Sequence, residues 1–162
     1  MGCCESRDKT PGVKVRPFRG FLANQEHCDK VISPAYDVLD TNEARQMADG
    51  NPMSFLHVNK PEIDLDPETD PYADEVYQQG RQNLLQFISD GYLQQDDQET
   101  MYIYRQVMNG HVQQGIVALA SIQDYESNKI KRHELTLPKK ENDRTKLTEI
   151  QQANVGPVFL TF

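Results

Sequence analysis

The stretch from Ile130 to Arg144 contains the residue types that chemistry on a charged substrate requires. It reads I-K-R-H-E-L-T-L-P-K-K-E-N-D-R, so cations and carboxylates are closely mixed around one histidine. Lysine and arginine can hold an anionic group, a carboxylate or an imidazole can move a proton, and a carboxylate can bind a metal ion. A charge run is also, and more commonly, a solvated loop that leads into a surface helix. The residue types alone therefore give a candidate site without a reaction.

The flanking sequence predicts how these charged residues are positioned. Lys129 to His133 is predicted to be a strand, and a helix is predicted from about Pro138 to Ala153, because proline is favoured in the first turn of a helix. The unpaired N–H groups of that first turn favour an anion. If the stretch is a phosphate site, four side-chain ends should converge on one cavity: those of His133, Glu134, Lys140 and Arg144.

The rest of the sequence predicts an α+β fold with a mostly antiparallel sheet. Tyr102–Val107 and Val112–Ile122 flank Asn109-Gly110, the preferred two-residue turn of a β-hairpin. The apolar run Gly115–Ala120 predicts that the returning strand is central and covered on both faces. A long amphipathic helix, Pro71–Asp90, is predicted to pack on the sheet. Shorter elements are predicted as strands at Val13–Leu22, Ser54–Val58 and Val158–Phe162 and a helix at Thr41–Ala48. An apolar strand at the last residue suggests a fragment of a larger α/β protein.

Composition and charge exclude several classes of protein. The 162 residues carry a formal net charge of −8, which argues against a nucleic-acid partner, since phosphate neutralisation needs a surplus of Lys and Arg. No run of about 18 apolar residues that could span a membrane is present. The cysteines show neither a disulfide framework nor metal-ligand spacing, which favours a reducing, cytoplasmic location.

The first twelve residues are predicted to be a flexible leader with an acylation-like motif. M-G-C-C-E-S matches the N-myristoylation pattern at Gly2, and Cys3 and Cys4 stand where a reversible palmitoyl chain would be added. Two acyl chains suffice for stable membrane attachment, whereas one does not. The sequence therefore predicts a possible membrane surface as a partner, and a chance match in a prokaryotic protein is the alternative.

Several spaced motifs, taken in order, carry a resemblance to a known family. From about residue 13 to residue 162 the chain closely resembles the N-terminal part of domain-of-unknown-function family 1015, also labelled SerC-like. The motifs are S-P-A-Y-D-V (Ser33–Val38), N-P-M-S-F-L-H-V (Asn51–Val58), P-E-I-D-L (Pro61–Leu65), D-P-Y-A-D-E-V-Y (Asp70–Tyr77), Y-I-Y-R-Q (Tyr102–Gln106), G-I-V-A (Gly115–Ala118), I-K-R-H-E-L-T (Ile130–Thr136) and K-E-N-D-R (Lys140–Arg144). Family members are longer, so the resemblance implies that a missing C-terminal part or a second chain completes the site.

The resemblance implies an ATP-dependent phosphotransferase that acts on free serine or a similar small hydroxyl compound. Such catalysis depends mostly on positioning and charge stabilisation. The residues that match the family's charged motif would then have these roles: phosphate binding by Arg132, Lys140 and Arg144, Mg²⁺ binding by Glu141 or Asp143, and proton acceptance by His133 or Glu134, with Lys131 beside them. Tyr36, Asp37 and His57 are secondary candidates, although a histidine in such an apolar run is more often a hydrogen-bonded core residue than a ligand.

A non-catalytic function is the alternative. The chain could be a membrane-tethered module that senses a ligand or binds a partner through the charged stretch. The leader departs from the prokaryotic pattern of the family, which favours this alternative over a plain role in serine metabolism.

Overall fold

The computed structural model describes residues 12–132 and 135–160. The described residues form helices and short antiparallel strands, which confirms the predicted α+β class. The elements are β1 (Val15–Arg16), β2 (Phe21–Ala23), α1 (Cys28–Val31), α2 (Thr41–Ala48), α3 (Leu56–Asn59), α4 (Asp74–Ser89), β3 (Leu93–Gln95), β4 (Tyr102–Met108), β5 (His111–Val117), β6 (Leu119–Ala120), α5 (Ile122–Glu126) and α6 (Pro138–Gln151), with 3₁₀ helices at Tyr36–Val38 and Pro61–Asp64.

The strands of this described part form three two-stranded antiparallel sheets, β1 with β6, β2 with β3 and β4 with β5. The chain divides into two compact units. The first unit comprises Met1–Gly20 and Asp97–Leu135, and the second comprises Phe21–Asp96 and Thr136–Phe162. The charged stretch is therefore divided between the two units.

The first unit contains the predicted hairpin. Asn109 and Gly110 have φ values of 52° and 79°, and positive values at both central residues are what a type I′ turn requires. Ile116 of the returning strand is 74% exposed and its cross-strand partner Ile103 is 78% exposed, so the prediction that the returning strand is covered on both faces is wrong. Apolar residues predict burial only where a neighbouring element covers them, and no described element covers this pair.

A third strand at Lys129–His133 was predicted after the hairpin, and this prediction is wrong for the described residues. Helix α5 begins after Ser121, whose hydroxyl accepts from the N–H of Asp124. The N–H groups of Lys129 and Ile130 then donate to the carbonyl of Asp124, both at 2.9 Å. Because these backbone donors are used locally, they are not available for pairing with a neighbouring strand.

The second unit has its core around α4. Phe87 and Leu84 pack with residues from α1, α3 and β3. On another side of the unit, Leu56 packs with Ala44 and Ala48 of α2. Helix α6 packs along α4, where Gly80 leaves room for Leu147 and Gln151.

Helix α2 was predicted well, because its signals are local. Asp40 accepts from the N–H of Glu43, the Glu43 carboxylate accepts from the N–H of Asp40, and Gly50 closes the end with a φ of 70°. Helix α6 also begins at the predicted Pro138 and ends two residues earlier than expected.

Four other predicted elements differ from the structure, in their start, type, continuity or presence. Helix α4 begins at Asp74 rather than Pro71, because the Asp70 carboxylate and carbonyl accept from the next residues and form a turn. Ser54–Val58 contains part of a helix rather than a strand, since a short apolar run does not distinguish the two. Val13–Leu22 is interrupted rather than continuous, with β1 and the start of β2 in its place. Residues 158–160 are exposed and form no strand.

Candidate functional site

Arg144 is a cation of the predicted site whose side chain makes several described contacts. Its Nε and Nη2 atoms donate to Oδ2 of Asp143 at 2.8 and 2.6 Å, and its Nη1 donates to the carbonyl of Asn59 at 3.5 Å. The guanidinium also lies 4.2 Å from the centre of the Tyr36 ring. Three different segments thus fix the orientation of one guanidinium, whose side chain is still 31% exposed.

Asp143 is oriented in turn by α4. The Tyr77 hydroxyl donates to its Oδ1 at 2.8 Å. Burial raises the pKa of Tyr77, and the hydrogen bond to the carboxylate raises it further, so Tyr77 remains a donor at neutral pH. We refer to Tyr36, Asn59, Tyr77, Asp143 and Arg144 as the arginine cluster.

The local sequence of α6 explains why Asp143 and Arg144 reach this position. Pro138 and the exposed Lys140 belong to its first turn, whereas Leu147 and Gln151 are buried one and two turns after Asp143. Residues three or four apart share a helix face, so Asp143 lies on the face that packs against α4. Arg144 is its neighbour and reaches the carbonyl at the end of α3.

His57 forms a second group, which we call the histidine cluster. Its Nδ1 lies 2.7 Å from Oδ1 of Asp64, and its Nε2 lies 3.2 Å from the carbonyl oxygen of Asn51. Asn83 donates to Oδ2 of Asp64 and to the carbonyl of His57, both at 2.7 Å. The hydrogen bond to Asp64 is the main reason that the pKa of His57 is raised, and burial opposes this shift.

The chain is similar to a known protein family over most of its length. A family model described as "Protein of unknown function (DUF1015)" matches residues 15–162. The chain belongs to the DUF1015 family. Neither the curated proteins nor the solved structures gave a match.

Some predicted site residues of this DUF1015 chain are brought together by the structure. Tyr36, Asp143 and Arg144 are in contact, although Tyr36 comes from a distant motif. Asp37, beside Tyr36, is exposed. His57 belongs to the histidine cluster, where it contacts Asp64 and Asn51.

Other predicted residues have different surroundings or lie outside the described residues. Lys131 is exposed and Arg132 lies 4.9 Å from the ring centre of Tyr125, both in the first unit. Glu141 is exposed and accepts from the Thr136 hydroxyl at 2.7 Å. Two predicted proton acceptors, His133 and Glu134, lie outside the described residues, so the predicted convergence of His133, Glu134, Lys140 and Arg144 on one cavity stays a prediction. The predicted lipidation residues also lie outside the described residues: Gly2, Cys3 and Cys4.

The residues around Asp143 also bear on the predicted Mg²⁺ site. Over residues 12–132 and 135–160, no group of three His, Cys, Asp or Glu side chains could hold a metal ion. Both Asp143 oxygens already accept hydrogen bonds, from Tyr77 and Arg144. Asp143 is therefore better placed to orient Arg144 than to bind a metal, and Glu141 as a ligand stays a prediction.

Sequence reasoning missed Asn59 and Tyr77 in the arginine cluster and Asp64 and Asn83 in the histidine cluster. Three of these lie in or beside quoted motifs: Asn59 follows N-P-M-S-F-L-H-V, Tyr77 ends D-P-Y-A-D-E-V-Y and Asp64 belongs to P-E-I-D-L. Polar residues within those motifs were the available signal. Asn83 carried none, since it reads as an ordinary helix residue.

Proposed function

We propose that this chain binds a small anionic metabolite through Arg144, as the anion-holding part of a phosphotransferase that acts on free serine or a similar hydroxyl compound. The observation that supports the proposal is the fixed guanidinium of the arginine cluster. An arginine held in place loses less entropy when it binds a phosphate or carboxylate than a freely rotating one.

The hydrogen-bonding capacity of Arg144 supports an anion as the ligand. A guanidinium has five N–H bonds, and three of them are directed to Asp143 and Asn59. Among described residues, one N–H on each terminal nitrogen has no acceptor. Two such donors can bind the two oxygens of a phosphate or carboxylate.

The reaction type in this proposal comes from the family resemblance. The donor would be ATP with Mg²⁺, and a further stretch of chain or a second molecule would supply the nucleotide-binding part. Arg144 would hold the anionic group of the acceptor or the transferred phosphoryl group, and Asp143 and Tyr36 would keep it in position.

The test is calorimetric titration of phosphoserine, serine and ATP–Mg²⁺ into wild type, Arg144→Ala and Lys139→Ala. Lys139 is a matched control, because it is a cation of the same helix that also lies 4.2 Å from a tyrosine ring centre, that of Tyr72. Loss of a charge-assisted contact should weaken binding about ten- to a hundred-fold in Arg144→Ala. Equal affinities in the two variants would remove Arg144 from the site.

A second candidate is a ligand-sensing module without catalysis. It is favoured by the arginine cluster itself, in which the carboxylate of Asp143 is engaged by Arg144 and Tyr77. Binding of phosphoserine without transfer of phosphate from ATP to serine, even when a longer natural form is assayed, would select this candidate.

We also propose that the chain associates with membranes through acyl chains on Gly2 and on Cys3 or Cys4. The M-G-C-C-E-S pattern supports this. None of the described helices is long and apolar enough to cross a bilayer. In a eukaryotic cell, wild type should fractionate with membranes and Gly2→Ala should not; identical soluble behaviour of both would overturn the proposal.

A further inference from the structure

Both ring nitrogens of His57 face atoms that can only accept hydrogen bonds. Nδ1 lies 2.7 Å from a carboxylate oxygen of Asp64, and Nε2 lies 3.2 Å from the carbonyl oxygen of Asn51. A neutral imidazole has one N–H donor, whereas an imidazolium has two. Only the protonated form satisfies both contacts.

The partners of His57 are themselves held. Asn83 on α4 donates to the second oxygen of Asp64 at 2.7 Å, and the N–H of Ser54 donates to the Asn51 carbonyl at 3.0 Å. The side chains of His57 and Asp64 are 19% and 25% exposed, so water screens their interaction only in part. The pair is therefore positioned by two other segments, α4 and the turn that contains Asn51.

Loss of the proton must break one of the two contacts. The Nδ1–H bond to Asp64 is shorter and has a carboxylate acceptor, so it is the stronger one and should be kept. The lone pair of Nε2 would then face the lone pairs of the Asn51 carbonyl, which is repulsive. Deprotonation thus acts on the turn that contains Asn51.

We propose that His57 is a pH-dependent link between the Asn51–Pro52 turn and the 3₁₀ helix Pro61–Asp64, closed when the ring is protonated and released when it is neutral. Because the hydrogen bond to Asp64 raises the pKa of His57, this change is centred above the ordinary histidine value of 6.5. The proposal does not depend on Arg144 or on the proposed reaction.

The link lies between two open cavities of about 420 and 240 Å³, both lined by Pro52, His57 and Asp64. Other charged groups that line them are Arg45 of α2, Asp49 directly after α2 and Asp90 directly after α4. Arg45 is occupied by the carbonyls of Glu62, Ile63 and Leu65. Release of the turn would change the shape of both cavities, since Pro52 borders each.

The test is an NMR titration of the wild-type chain that follows ring nitrogens and backbone amides together. The midpoint of His57 should lie above the ordinary histidine value of 6.5, and the neutral ring should be the Nδ1–H tautomer. The exchange protection of the Ser54 amide, relative to that of Ala44 in α2, should fall about tenfold or more in the same transition. A midpoint at or below 6.5, an Nε2–H tautomer, or an unresponsive Ser54 amide would each overturn the proposal.

Two variants separate the link from other titrations. Asp64→Asn should lower the titration midpoint of His57, because it removes the charge that stabilises the imidazolium. His57→Gln should abolish the pH response of the Ser54 amide. A response that persists in His57→Gln would show that another group causes it. If either variant does not fold, the wild-type titration still decides.

Discussion

Gly80→Ala should destabilise the protein although alanine is the better helix former. At an exposed helix position this change stabilises by about 1 kcal/mol. Gly80 is buried, and a Cβ there would lie 2.9 Å from Nε2 of Gln151, 3.0 Å from Cγ of Pro61 and 3.4 Å from Cδ1 of Leu147. A proline ring is rigid, so α6 and the 3₁₀ helix would have to move away from α4.

The magnitude follows from two costs and one opposing gain. Inserting a methyl group into a packed contact costs about 1–3 kcal/mol. Moving Gln151 also weakens its bond to the Val58 carbonyl, now 3.0 Å, which is worth about 1 kcal/mol. After the gain in helix propensity is subtracted, the net loss should be about 1–3 kcal/mol.

Urea unfolding followed by far-UV circular dichroism measures this loss. The control is a matched pair at the exposed Gln78 of the same helix, where Gln78→Ala should be about 1 kcal/mol more stable than Gln78→Gly. In a Gln151→Ala background Gly80→Ala should cost less, because one of the clashing side chains is gone. A stabilisation by Gly80→Ala similar to that at position 78 would refute the close packing of α4 and α6.

Two further predictions concern single hydrogen-bonded groups. Tyr77→Phe removes the hydroxyl that orients Asp143 and should lower the free energy of unfolding, measured in urea, by about 1–2 kcal/mol. Tyr72 is 41% exposed, so the control Tyr72→Phe should change this free energy by less than about 0.5 kcal/mol. Equal effects of the two changes would mean that the Tyr77 hydroxyl contributes nothing to stability. The hydrogen bond from the backbone N–H of Lys14 lowers the pKa of Asp124, and the charge of Lys129 lowers it further. The ionised carboxylate therefore stabilises the fold at pH values above 3.8, the pKa in the unfolded chain. This contribution is lost as the pH falls through the lower pKa of the folded state. Stability measured between pH 7 and pH 2 should therefore fall less in Asp124→Asn than in wild type, and parallel curves would contradict this assignment.

The parts of the fold that the sequence predicted correctly are those with local causes. The Asp40–Glu43 capping box, the Asn109-Gly110 turn and Pro138 each determine their element through neighbours a few residues away. The Lys129–His133 strand failed for a different reason. The backbone N–H groups of Lys129 and Ile130 donate to the Asp124 carbonyl. The pattern of apolar and polar residues does not indicate that these donors are used within a local turn.

The same distinction explains which candidate residues could be predicted. The many charged residues between Lys131 and Arg144 indicated this whole stretch as a candidate site. The number of charges alone does not distinguish the exposed Lys140 and Glu141 from the half-buried Asp143 and Arg144. What separates them is the packing of α6 on α4, which buries Leu147 and Gln151 and brings Asp143 to the Tyr77 hydroxyl.

Tyr36 and Asn59 then complete the surroundings of Arg144 from segments far away in the sequence. A cation fixed in this way can bind an anion with little further ordering, whereas the exposed cations of the first turn must lose side-chain entropy to do so. For this reason, the arginine cluster rather than the charge run as a whole is the part of the molecule in which a ligand should be sought first.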